Sequence, residues 1–227
     1  MADIISAQQA ADLITEGSTI MVGGFMGCGS PHTILEALAA KGTQNLTLIS
    51  NDACNPGGPD GSDFYGVAKL IHNRQIKKLI TTHVGLNPEV AVQYSEGLIE
   101  LVLIPQGSFV EMIRAGGAGM GGVLTPTGLG TIVQDAEHVH SVVEVDGRKY
   151  LLERPLKADF ALIGGHSIDK AGNIWYKGTT RNFNPHMATA AGIVIAEAEK
   201  VVEIGDIEPE NVVTPGILVD YIVKGGS

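Results

Sequence analysis

At 227 residues and 23.7 kDa the chain suits one large domain, with enough length to bury its own core. Its 25 acidic and 15 basic side chains give a formal charge of −10, which excludes a general nucleic-acid binder; the densest basic run is only Arg74-Gln75-Ile76-Lys77-Lys78. No apolar run is long enough to span a membrane, and Cys28 and Cys54 form neither a disulfide framework nor a CxxC pair, so no signal peptide and two reduced thiols in a cytoplasmic protein are expected. Glycine is the outlier, at 30 residues against an average near ~7%.

In chain order, Ser6 and Gln9 fit a capping box, with Ala10, Leu13 and Ile14 at helical spacing and Gly17 as the expected stop. Residues 19–22 read as a buried strand ending in Gly23-Gly24. Ser30-Pro31 predicts a second helix with proline at its first position, lined by Ile34, Leu35 and Leu38 and closed by Lys41-Gly42. A strand over 46–50 follows, then a helix over 64–72, a strand over 78–81, a helix over 88–95, a strand over 101–104 and a helix over 108–114. This alternation predicts an α/β fold: an open, mostly parallel sheet with helices on both faces. The rhythm breaks after Gly116. Asp146-Gly147 between two alternating runs signals a β-hairpin excursion over 142–152, and strands return over 160–163, 193–196 and 217–223. There is no internal repeat. Residues 54–61 are the most flexible-looking stretch but too short for a domain linker, so a single domain over 1–227 is expected.

The glycines of Gly23-Gly24-Phe25-Met26-Gly27-Cys28-Gly29 lie between a strand and a helix start. There they are expected to let a ligand approach the backbone and to offer free amides and a helix dipole to an anionic group. The run approximates a dinucleotide fingerprint, with Asp52 near the offset of a ribose-binding acid. However, His32 stands where the third glycine belongs, and no P-loop is present. The second run, residues 114–122, is expected as a backbone-lined loop, either part of a binding wall or a surface connection. Other signals are weak. His138 and His140 have an HxH spacing, His83 and His186 read as structural histidines, and Glu153-Arg154 reads as a structural ion pair. No carboxylate stands out as a catalytic acid or nucleophile.

Residues 22–31 closely resemble the first signature of the family I CoA-transferases, which include acetate, butyrate–acetoacetate and succinyl-CoA:3-oxoacid enzymes. Residues 48–52, 104–107, 114–119, 152–156 and Arg181-Asn182-Phe183-Asn184-Pro185 resemble further family blocks in family order. The combination is most similar to the alpha subunit of bacterial two-subunit enzymes acting on acetate or acetoacetate; elsewhere in the family the two halves are fused. The resemblance implies the CoA-transferase (NagB-like) fold and a ping-pong exchange. A glutamate in a Ser-Glu-Asn-Gly motif of the beta subunit forms first an acyl anhydride and then a glutamyl-CoA thioester. The only Glu-Asn pair here, Glu210-Asn211, sits between Pro209 and Val212 and does not fit that motif. The chain is therefore expected to lack the nucleophile and to need a beta subunit, in an α2β2 or larger assembly.

The resemblance also implies site roles. Gly23, Gly24, Phe25, Met26, Gly27, Cys28 and Gly29 would form the CoA-binding segment. Asn51 would support the oxyanion, beside an Asp52 that replaces the second asparagine of some members. Gln106, Gly116, Gly117, Ala118 and Gly119 would line the acyl pocket. Coenzyme A and its acyl thioesters are the expected substrates with small carboxylic acids; no tightly bound cofactor, metal, nucleic acid or membrane is expected. The competing readings are a sugar-phosphate isomerase on a similar fold, which needs its own acid/base carboxylate, an NAD-binding Rossmann enzyme, and a non-catalytic interaction subunit.

Overall fold

Alternation within the central strands decides which face of the sheet each side chain serves. In the computed structural model, which describes residues 2–58 and 61–225, the elements in chain order are β1 (Asp3–Ile5), α1 (Ala7–Leu13), β2 (Thr19–Val22), α2 (His32–Lys41), β3 (Leu46–Ser50), α3 (Ala68–His72), β4 (Ile76–Thr81), α4 (Pro88–Ser95), β5 (Glu100–Leu103), α5 (Gln106–Gly117), β6 (Val123–Thr125), β7 (Val139–Val145), β8 (Arg148–Glu153), β9 (Ala158–Asp169), β10 (Ile174–Trp175), α6 (Asn184–Met187), β11 (Ala191–Val202) and β12 (Tyr221–Lys224). Ile20 and Val22 of β2, with Leu162 of β9, pack under α1, α2 and α3 in one core. Met21, Ala161 and Ile163, one residue out of phase, pack under α5 and α6 in a second core centred on Phe109 and Met112. Both cores are dry. Fully enclosed side chains such as Ile20, Leu48 and Phe109 each contribute about 1.5–3 kcal/mol.

The main sheet runs β1-β12-β11-β9-β2-β3-β4-β5, with neighbours along this path parallel and β10 antiparallel on β9. The chain winds outward from β2 through β3 to β5 in one direction, and from β9 through β11 to β12 in the other. The winding thus reverses between β2 and β9, where open α/β sheets form a crevice outside the strand ends. A separate antiparallel sheet, β6-β8-β7, carries the expected hairpin with Asp146-Gly147 at its turn. Among the described residues no helix is long and apolar enough to cross a membrane.

Several boundaries differ from the sequence reading, for local reasons. The Ser6/Gln9 capping box is present, but α1 stops at Leu13, before Gly17. Pro31 is the N-cap of α2 rather than its first helical residue. Residues 64–67 are not helical, because Phe64 bridges to Pro56 and stacks on His72 while Gly57 and Gly58 amides bond across to Asp63 and Ser62. Of the supposedly flexible 54–61 segment, residues 59–60 lie outside the described residues. The last strand begins at Tyr221; a 3-10 turn at Gly216–Leu218 leaves Ile217 outside the sheet, 94% exposed. β1 escaped prediction because three residues carry no period, and the segment is a strand only through the edge that β12 offers it.

Candidate functional site

The glycine segment leaves the end of β2 and turns over the crevice between β2 and β9. Phe25 and Cys28 exchange backbone hydrogen bonds (3.1 and 2.9 Å) around Met26 and Gly27, with φ of 51° and 78°. Two successive positive φ angles make this a tight type I′ turn, which explains a glycine at 27 and places the exposed Phe25 and Cys28 at the tip.

Below the tip the segment is tied to the protein on every side. Gly23 N donates to Leu162 O, Gly24 N to Asn182 Oδ1 (3.1 Å) and Met26 N to Asp52 Oδ2 (2.8 Å). Ser30 Oγ donates to Gly23 O, and His32 Nε2 to Gly27 O (2.8 Å) with its ring stacked on Tyr65. The Arg181-Asn182-Phe183-Asn184-Pro185 block supplies the other side. Asn182 Nδ2 donates to Cys28 O (2.9 Å), and the fully buried Asn184 donates to Gly29 O (3.0 Å) and Thr180 O while accepting from Gly164 N. Sequence reading saw this block only as a resemblance. Its role is not legible locally because the asparagines lie more than 150 positions from the glycine segment they hold.

Two expectations are corrected here. The helix end behind the segment is not vacant for an anion: Glu197 of β11 accepts from Thr33 N (3.1 Å) and Ile34 N (2.9 Å), so a protein carboxylate already occupies the start of α2. Five of the seven amides, those of Gly23, Gly24, Phe25, Met26 and Cys28, have protein acceptors, so most of the segment is a braced wall rather than an open amide cradle. The glycines answer to packing as well: a Cβ on Gly23 would overlap Asn184.

Asn51 and Asp52 follow β3, directly under the turn, and are 2% and 5% exposed. Asn51 Nδ2 donates to Asp52 Oδ2 (2.8 Å), and Gln106 Nε2, from the first residue of α5, donates to Asn51 Oδ1 (2.7 Å). Asp52 Oδ1 accepts from Cys54 N (2.9 Å), and Thr82 Oγ1 holds the Asn51 carbonyl (2.7 Å). Asn51, Gly23, Gly24 and Ser30 face a recess of about 10 Å³, room for roughly one water-sized atom group. Asp52 is turned inward with both oxygens bonded, so it is not a ribose-binding acid. The structure thus unites the first glycine segment, Asn51 and Gln106.

The second glycine run lies differently. Gly116 and Gly117 are the last residues of α5, not a loop. A Cβ on Gly116 would strike the Leu156 carbonyl, and one on Gly117 the Thr189 side chain, so close helix packing explains both. Ala118 and Gly119 are exposed beyond the helix end. Glu153 forms no ion pair with Arg154. It is fully enclosed beside Ser108, and burial raises its carboxyl above the ordinary range against the lowering effect of that hydroxyl. His138 is buried, with its pKa lowered by desolvation, while His83 is exposed rather than structural and His186 half-buried. A cavity of about 250 Å³ adjoins the turn, lined by Gly27, Cys28, Tyr65, Gly165, Thr180 and Glu199 among others. Glu210 is exposed on a 3-10 turn.

The sequence and the fold have close counterparts. The coenzyme A transferase family model matches residues 4–225. The acetoacetyl-CoA:acetate/butyrate CoA transferase alpha subunit of Clostridium acetobutylicum is 47% identical over 97% of both chains. The acetate CoA-transferase subunit alpha of Escherichia coli K12 is 44% identical over 97% of this chain and 96% of the relative. Among solved structures, an acyl-CoA transferase from E. coli O157:H7 in a thioester complex with CoA superposes with a TM-score of 0.88 at 25% identity; the match covers 98% of this chain and 49% of that one, so this chain spans about half its length. Glutaconate coenzyme A-transferase from Acidaminococcus fermentans shares the fold, with a TM-score of 0.84 at 17% identity over 98% of this chain and 75% of that one. The sheet, the braced glycine segment and near end-to-end similarity to alpha subunits lead to one conclusion: the chain belongs to the coenzyme A transferase family, as a subunit of the alpha type.

Proposed function

We propose that the chain is the non-nucleophilic half of a two-subunit enzyme that moves CoA between a short-chain acyl-CoA, such as acetyl-, acetoacetyl- or butyryl-CoA, and a small carboxylic acid. The observation that carries this reading is the alignment, over 97% of both chains, with an alpha subunit named for acetoacetyl-CoA, acetate and butyrate. The carboxylates here agree with a nucleophile supplied from elsewhere. Among the described residues, Asp52 and Asp169 are buried and hydrogen-bonded inward, and Glu153 is sealed beside Ser108.

In the proposed cycle a beta-subunit glutamate carboxylate attacks the thioester carbonyl carbon. The C–S bond breaks, CoA leaves as thiolate, and an acyl–glutamyl anhydride remains. The thiolate attacks the glutamyl carbonyl, the free acid leaves, and a glutamyl-CoA thioester is formed; an acceptor carboxylate reverses the steps. Each attack places negative charge on one oxygen. Asn51 gives one amide hydrogen to Asp52 and keeps a second for that oxyanion, and the adjoining recess suits a single oxygen rather than an acyl chain. The Gly23–Gly29 wall would support CoA by shape, with Gln106 beside the acyl group. Glu197 and Glu199 line the neighbouring cavity, which suits an uncharged part of CoA better than its phosphates. An α2β2 or larger assembly in the reducing cytoplasm completes the reading; Cys28 and Cys54 are both free thiols.

The test is co-expression with a beta subunit carrying Ser-Glu-Asn-Gly. Exchange of CoA between acetyl-CoA and acetoacetate or butyrate is expected from the mixture and none from the isolated chain. Equal rates from the isolated chain would overturn the division of labour.

A further inference from the structure

Asp52 accepts three hydrogen bonds from three separate places: Met26 N at the turn (2.8 Å), Cys54 N on the outgoing chain (2.9 Å) and Asn51 Nδ2 (2.8 Å). An ionised carboxylate is acceptor-only, whereas a side-chain amide can present either end. Because Asp52 Oδ2 can only accept, the Asn51 amide must turn its nitrogen towards it. Asn51 Oδ1 then points at Gln106, which must in turn present its own nitrogen, as it does at 2.7 Å. One acidic oxygen thus fixes two amides in series, and the same oxygen anchors the glycine turn through Met26.

We infer that Asp52 is a positioning residue: it sets the polarity of the Asn51–Gln106 amide pair, so that Asn51 faces the reacting oxygen as a donor, and it locks that polarity to the glycine turn. The inference rests on the oxyanion role of Asn51 proposed above. An asparagine at 52 has one oxygen to serve positions where the carboxylate has two. Its NH2 group would confront either the Cys54 amide or the Met26 amide together with Asn51 Nδ2. The first choice strains the chain after Asp52; the second releases Asn51 to flip and present its oxygen where the oxyanion forms.

The experiment is a double-mutant cycle in the enzyme assembled with its beta subunit, comparing Asn51→Ala, Asp52→Asn and the double variant. Loss of one oxyanion donor lowers kcat by ~10²-fold, so Asn51→Ala is expected near that loss. Asp52→Asn is expected to lower kcat by about tenfold with KM for acyl-CoA held within about twofold. The double variant should be no slower than Asn51→Ala alone, because a polarity device has nothing left to orient. If the two losses multiply, Asp52 is merely structural and the inference is overturned. If Asn51→Ala keeps full kcat, the oxyanion reading itself falls, a result separable from the first. Should Asp52→Asn fail to assemble, Asp52→Ser, a smaller residue that lacks the acceptor-only carboxylate, takes its place in the cycle. It should slow the assembled enzyme that keeps Asn51 and leave Asn51→Ala no slower; losses that multiply there overturn the inference as well.

Discussion

Replacing Gly23 by alanine isolates the close approach that holds the glycine wall. Gly23 does not have a positive φ, so its backbone tolerates alanine and the contact alone decides the outcome. The new methyl carbon would lie 2.7 Å from Asn184 Cγ and overlap its Oδ1. Asn184 is fully buried and holds Gly164 N, Gly29 O and Thr180 O, at 3.1, 3.0 and 2.8 Å. Moving it loosens three hydrogen bonds, one buried and two part-buried, each worth about 0.5–1.5 kcal/mol, with more where a buried group is left unpaired. A loss of about 2–4 kcal/mol is expected, against the gain of about 0.4–1 kcal/mol that a compatible glycine-to-alanine change brings. For a chain of this size that lowers Tm by roughly 5–15 °C. Urea unfolding followed by fluorescence of Trp175, the only tryptophan in the sequence, measures it. In an Asn184→Ala background the obstacle is gone, and Gly23→Ala should cost less than about 1 kcal/mol. A Gly23→Ala protein within about 0.5 kcal/mol of wild type would refute the reasoning.

The remaining predictions use different parts of the molecule. Gly107, in the first turn of α5, lacks a positive φ and has open space around its missing Cβ, so Gly107→Ala should raise stability by about 0.4–1 kcal/mol in the same urea assay. The Cys54 thiol is pushed up to about 12 by burial, with the Asp52 carboxylate adding to the shift, whereas Cys28 is exposed. Mass spectrometry after iodoacetamide treatment of the native chain at neutral pH should find Cys28 alkylated and Cys54 untouched. Glu153 has a carboxyl raised above its ordinary 4.5 by burial. Its protonated form is the one the fold favours, so stability is fully present below the ordinary value and is lost as pH rises through the raised one. Glu153→Gln should flatten the fall in Tm as pH rises above about 4.5, and an unchanged profile would show that burial does not raise the Glu153 carboxyl.

Short-range pattern was a good guide wherever the cause was local. The Ser6/Gln9 box, the Lys41-Gly42 stop, the Leu46–Ser50 strand, the Pro88–Ser95 helix and the Asp146-Gly147 hairpin each depend on residues within a few positions, and all are present. The alternation of β and α segments was enough to indicate a parallel sheet covered on both faces. Its first glycine run could be placed at a strand end, because that much follows from spacing alone.

What those glycines are for was decided by tertiary contacts. Locally the run reads as an open amide cradle at a helix start; in three dimensions Glu197 caps the helix, and Asn182, Asp52 and Leu162 take the amides. The second run reads as a loop for the same reason: Gly116 and Gly117 end a helix, and they are glycines because Leu156 and Thr189, far along the chain, leave no room for a side chain. The polarity of Asn51, too, is set by a neighbour's chemistry and by Gln106, 55 residues away. The sequence by itself determined most of the elements, the sheet type and the position of the first glycine run at a strand end. Only the folded chain decided which donors are occupied and which remain available, because hydrogen-bond partners and close approaches depend on distances in space that no local pattern encodes.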